Sequence, residues 1–159
     1  MIRIGVSACL IGAPVRYDGR AATLEDKLLD TWKAEGRLMA VCPEVLGGLP
    51  TPRPSAERLG NRVVTQSGED QTDAFVAGAE RAVRALRSAG IKAVILKSKS
   101  PSCGLGRIYD GSFEGRLTDG DGLFALAAKA EGLAVFRDDQ IQAASQWLTD
   151  FNQSMEEIG

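Results

Sequence analysis

Histidine is absent from the 159-residue sequence. That absence removes the commonest acid or base near neutral pH and the commonest metal ligand apart from cysteine. No CxxC pair occurs either, which argues against a paired-cysteine zinc knuckle or a thioredoxin-type dithiol. Neither GxGxxG nor a Walker A sequence is present, so no nucleotide-phosphate cradle is encoded. No apolar run approaches the roughly 18 residues that span a bilayer. The N-terminal MIRIGVSACL is interrupted by Arg3 and lacks a signal peptide's apolar stretch. The expected compartment is the cytoplasm, with no membrane association. Net charge is only -2, so nothing in the balance predicts nucleic-acid binding.

What is present is ordinary for a globular protein: 44% hydrophobic and 25% charged residues. The length suits one domain, residues 1–159. Three cysteines are an odd number for a disulfide scaffold. Chemistry must therefore run on Cys, Asp, Glu, Lys, Tyr, Ser or a cofactor.

Strand-like runs alternate with helical ones. Strands are predicted over Arg3–Ala8, Leu38–Val41, Ile91–Leu96 and Leu133–Arg137, with a short strand or hairpin arm over Arg62–Thr65. Helices are predicted over Thr23–Gly36, Asp70–Ala89, Gly120–Glu131 and Asp139–Met155. Asp110-Gly111 marks a turn. Cys42–Pro54 holds four of the six prolines, and the expectation there is a loop of fixed shape with no regular element. The alternation implies a three-layer α/β fold of Rossmann-like type, a mainly parallel sheet with helices on both faces. Trp147 and Phe151 on the last helix pack internally or against a partner, so a monomer and a homodimer both fit.

Cys9, Cys42 and Cys103 each follow a predicted strand. The C-terminal ends of parallel strands lie along one edge, where ligand sites form. One such cysteine is ordinarily a buried small hydrophobe. Three, each in a strand-end loop beside Pro or Gly, converge on a metal or iron–sulfur site. Three thiolates suit zinc, copper(I) or an iron–sulfur cluster, and they leave one coordination position open. Spacing alone does not separate these.

The same segments carry a resemblance. VSACLIGAPVRYDGR, VCPEVLGGLPTPRP and LKSKSPSCG followed by YDGSFEG resemble, in order, the signature blocks of the thiouracil desulfidase family, formerly a bacterial domain of unknown function. The similarity spans nearly the whole chain, in a short form without the additional C-terminal domain of some longer relatives. The resemblance implies a 4Fe-4S cluster held by Cys9, Cys42 and Cys103. It also implies a free iron that takes sulfur from a thiolated nucleobase or nucleoside, a small-molecule partner, through a cluster bearing one extra sulfide.

The expected chemistry is non-redox. An open iron polarises the C=S group, water adds at carbon, and uracil and hydrogen sulfide leave. Without histidine, Glu44, two residues after Cys42, is the candidate base. Ser100 and Ser102, flanking Pro101 beside Cys103, are candidates for bonding substrate oxygen or cluster sulfur, with local turn capping as the alternative. Lys97 and Ser98 are candidate anion contacts. Arg16, Tyr17 and Asp18 form a polar set for the ring, Tyr17 by stacking, with a structural Arg–Asp pair as the competing reading. Arg53 in the proline-rich run is placed to offset cluster charge. Competing functions are a zinc hydrolase on the same cysteines, an iron–sulfur carrier or sensor, and thiol redox catalysis.

Overall fold

The computed structural model describes residues 1–158. Four parallel strands form the central sheet: β1 (Ile4–Ser7), β2 (Leu38–Val41), β5 (Ala93–Leu96) and β8 (Ala134–Arg137), in the order β2-β1-β5-β8. Two antiparallel hairpins stand apart from it, β3 (Ala56–Leu59) with β4 (Arg62–Thr65), and β6 (Arg107–Tyr109) with β7 (Leu117–Asp119). The helices are α1 (Lys27–Ala34), α2 (Pro43–Leu46), α3 (Thr72–Ser88), α4 (Leu123–Ala130) and α5 (Ile141–Ile158).

The sheet is apolar on both faces because helices cover both. Along β5, Val94 and Leu96 enter one core with α3 and α4, while Ala93 and Ile95 enter the other with α1 and α5. All four are fully buried, and each Val, Leu or Ile so placed contributes about 1.5–3 kcal/mol. Gly5 in β1 lets α3 approach, since a Cβ there would lie 2.8 Å from Leu86 Cδ2. The stripe Phe75, Ala79, Ala82, Val83 and Leu86 seats α3 on that face. Trp147 packs into the second core, its ring stacked on Phe151 at 4.9 Å.

The expected three-layer α/β arrangement is the observed one. Two local expectations need correction and a third is extended. The first helix starts at Lys27 rather than near Thr23, because the Asp26 carboxylate accepts the N–H groups of Leu28 (2.8 Å) and Leu29 (3.2 Å) and caps it. The proline-rich stretch does contain a regular element, the single turn of α2. Cys42 stands at its N-cap and Pro43 in its first turn, where a missing N–H costs nothing. The turn at Asp110-Gly111 belongs to a full hairpin, β6–β7.

Candidate metal centre

Strand order reverses between β1 and β5: β2 lies on one side of β1, and β5 and β8 on the other. A cavity of about 370 Å³ opens at this switch point, lined by Cys9, Cys42 and Cys103. Cys9 sits in the 3-10 turn Ala8–Ile11 that continues β1. Cys42 directly follows β2. Cys103 lies in the turn after β5, where its N–H donates to Ser100 Oγ at 2.7 Å. All three are free thiols.

The thiols feel one another. Burial pushes Cys9 up to about 11; Lys97 opposes this, Cys42 adds to it, and Arg16 opposes it. Cys42 is raised chiefly by burial, with Glu44 adding. Cys103 is pushed up to about 12 by burial, against hydrogen bonds from Ser7 and Ser102, with Cys9 and Glu44 adding. Thiols in this state become anionic when a metal displaces their protons. Among the described residues, no three His, Cys, Asp or Glu groups come close enough to hold one metal ion. Zinc–sulfur bonds of about 2.3 Å draw their ligands tightly together, whereas a cluster gives each thiolate its own iron. Three soft thiol donors on one cavity suit a soft metal or an iron–sulfur cluster, with the cations Lys97 and Arg16 beside it to offset its charge.

Glu44 stands in the first turn of α2 and faces the same cavity. Its Oε1 accepts from Arg53 Nε at 3.2 Å, and its Oε2 accepts from Ser102 Oγ at 2.8 Å. The Arg53 side chain is 3% exposed. It also donates to the carbonyls of Pro50 (3.1 Å) and Val15 (2.8 Å) and to Thr51 Oγ1 (3.0 Å). One guanidinium thus ties the loop after β1 to the proline-rich loop and orients the carboxylate. A buried pair of this kind is costly to break, because the survivor is left uncompensated. The seat of α2 is a glycine pair. A Cβ on Gly78 of α3 would fall on the Pro43 carbonyl oxygen, and one on Gly47 would fall on the Ala74 carbonyl oxygen. Backbone rests on backbone there, which fixes Cys42 and Glu44 relative to α3.

The other sequence-predicted residues divide. Ser102 is 1% exposed, bonded to Glu44 and 3.8 Å from Cys103 Sγ. Ser100 lines the cavity, and its hydroxyl oxygen caps the Cys103 turn. Lys97 Nζ donates to the Ser98 carbonyl at 3.1 Å, and both N–H and O–H of Ser98 donate to Asp138 Oδ2 at 3.1 Å. Arg16 and Tyr17 line the cavity, the guanidinium 5.8 Å from the Tyr17 ring centroid. Asp18 is not among the lining residues; it pairs with Arg16 at 3.6 Å and accepts the Arg20 N–H at 3.0 Å.

The sequence reading missed the far side of the cavity. Glu57 of β3 and Tyr109 of β6 line it, with Ser55 beside them. It also missed Asp138 as the anchor of Ser98. A glutamate in a short polar strand carries no sign of its burial, so only the hairpin geometry reveals it.

Comparison with known proteins gives one family. The model of 2-thiouracil desulfurase matches residues 4–140. The Bacillus subtilis (strain 168) protein YbbK is 39% identical over 148 residues, covering 86% of this chain and 95% of its own. A solved structure of TudS, a 4Fe-4S-dependent thiouracil desulfidase, is 49% identical, with a TM-score of 0.92 over 94% of this chain and 99% of its own.

Proposed function

Because the chain belongs to the 2-thiouracil desulfurase family, we propose that it is an enzyme that hydrolyses thiouracil to uracil and hydrogen sulfide at a 4Fe-4S cluster held by Cys9, Cys42 and Cys103. The observation that carries this reading is the convergence of three free thiols from three parallel strand ends on one cavity, with the Glu44–Ser102 pair beside them. When bound, the cluster supplies an iron without a protein ligand, a soft Lewis acid for sulfur.

The chain's own residues do the rest. Glu44 takes a proton from the water that adds to the thiocarbonyl carbon, and Arg53 keeps its carboxylate in place. Ser102 holds Oε2, and the proton that Glu44 takes from water is returned to the departing sulfur, so that thiouracil and water leave as uracil and hydrogen sulfide. Ser100, through Oγ, keeps Cys103 in its turn. Lys97, held by Ser98 and through it by Asp138, offsets the negative charge that builds as sulfide departs. Arg16 and Tyr17 cover the mouth, the tyrosine ring stacking on the pyrimidine. Asp18 acts through its ion pair with Arg16 rather than by touching substrate.

The substrate is a small thiolated nucleobase or nucleoside rather than nucleic acid. Residues 1–159 act as one desulfidase unit, as a monomer or homodimer, in the cytoplasm. Among the described residues no helix is long and apolar enough to cross a membrane.

The test is anaerobic purification and reconstitution with iron and sulfide, followed by absorption near 400 nm and a sulfide assay on 4-thiouracil. A broad band with about four irons per chain and released sulfide is the expected result. A colourless, zinc-loaded protein that releases no sulfide overturns it.

A further inference from the structure

We infer that Glu57 recognises the substrate ring by accepting one of its N–H groups, so that the enzyme selects cyclic thioamides that keep a free ring N–H. This rests on the desulfidase reading above. It concerns the hairpin side of the cavity, which that reading leaves without a task.

Glu57 is 8% exposed, and its side chain points inward from β3 into the cavity wall. Its two oxygens are used differently. Oε1 accepts the backbone N–H groups of Gly111 (3.0 Å) and Phe113 (3.1 Å) and so clamps the β6–β7 loop. Oε2 has no hydrogen-bond partner among the described residues. It is not sealed away either: the buried side-chain oxygen without a partner, among the described residues, is Oε1 of Gln71. Glu57 is one of the residues lining the cavity, and Oε2 is its oxygen left free to meet a ligand there.

A clamp alone does not call for a carboxylate. A glutamine carbonyl would accept the same two N–H groups without burying a charge, and a largely buried carboxylate without a cation is costly. None of the ion pairs among the described residues includes Glu57. Several polar groups lining the same cavity are already engaged. Ser98 is bound to Asp138, Ser102 to Glu44, and Glu44 to Arg53 and Ser102. Glu57 therefore offers an uncommitted anionic acceptor facing a ligand. Thiouracil presents ring N–H donors, and a hydrogen bond from one of them to a carboxylate is of the stronger, charge-assisted kind. Tyr109, also on this wall, supplies an aromatic flank for the same ring.

Glu57→Gln tests this in the cluster-loaded protein. The glutamine carbonyl preserves the bonds to Gly111 and Phe113, while its amide turns a donor toward the substrate donor. Steady-state sulfide release is measured on 4-thiouracil and on its 1-methyl and 3-methyl derivatives, and the Kd of uracil is measured by calorimetry. In the wild type, one of the two methyl derivatives should lose about tenfold or more in kcat/KM. In the variant, KM for 4-thiouracil and Kd for uracil should both rise about tenfold, kcat should change less, and the methylation penalty should vanish. Unchanged KM and Kd with the penalty intact overturn the inference. If the variant fails to fold, the wild type alone decides: equal turnover of all three substrates overturns it. A loaded wild type that releases no sulfide from 4-thiouracil sinks the desulfidase reading and this inference together, whereas sulfide release indifferent to methylation sinks this inference alone.

Discussion

The two walls of the cavity are built on different principles. The cysteine wall grows from parallel strands whose backbones are locked by a four-stranded ladder and buried on both faces. Its side chains hold one another: Arg53 grips Glu44, Glu44 grips Ser102, and Asp138 grips Ser98. The opposite wall comes from two short hairpins joined by a few side chains, among them Glu57 to the β6–β7 loop and Arg58 Nη1 to the Asp121 carbonyl. A rigid wall suits ligands that must keep a fixed separation around a metal centre. A lightly tethered wall suits the contacts that choose a substrate.

This contrast can be broken at several points, in descending order of effect. Cys9→Ala should abolish cluster loading and sulfide release together, read as loss of the 400 nm band and of sulfide. Full activity in that variant ends the three-thiolate assignment. Glu44→Gln should keep the band and lower kcat by about 10²–10⁴. A drop confined to KM would move Glu44 from proton transfer to binding.

Gly78→Ala attacks the same wall from behind. The added methyl meets the Pro43 carbonyl, so α2 must shift, at a cost of about 1–3 kcal/mol. Thermal unfolding should show the loss, and kcat should fall with it because Cys42 and Glu44 both ride on α2. Unaltered kcat would mean that the hairpin wall, not the glycine seat, sets the geometry.

The smallest effect is on the hairpin side. Asp121 accepts from Lys129 Nζ at 2.8 Å and from the Gly106 N–H at 2.7 Å. Burial opposes its ionisation, but these two partners and Arg58 outweigh it and hold the carboxyl below its ordinary range. The stabilisation is therefore complete above the unfolded value and is lost as pH falls through the lower folded value. Asp121→Asn should flatten the acid limb of a stability profile by about 1 kcal/mol or less, since Lys129 is half-exposed. A profile identical to wild type would show that the tether at Asp121 carries no weight.

Legibility in the sequence follows the same division. Cys9, Cys42 and Cys103 announce themselves because each follows a short apolar strand run, directly or in the loop after it, and a parallel sheet brings such ends to one edge. Glu44 is readable through its nearness to Cys42. The pairing of Arg53 with Glu44 is not readable, since eight intervening residues with two prolines among them give no period from which to predict a side chain's direction. Glu57 is less readable still. Period-2 alternation marks a strand's buried face by its apolar residues, and β3 (Ala-Glu-Arg-Leu) buries its glutamate instead. The one-turn helix α2 is too short to show a 3.6-residue stripe, so the prolines and the adjacent Gly47-Gly48 point to a loop.

The contact between Gly47 and Gly78 has a kinematic consequence. A ligand thiol and the proposed proton acceptor are carried by one short turn, and that turn is seated without side-chain padding on a 17-residue helix. Side chains can change rotamer, whereas peptide planes in van der Waals contact transmit displacement nearly whole. Cys42 and Glu44 are therefore set on α3 as one unit, with no side chain between them and their seat. The coordinate joining the proposed metal ligand to the proposed acid–base group is thus the stiff one.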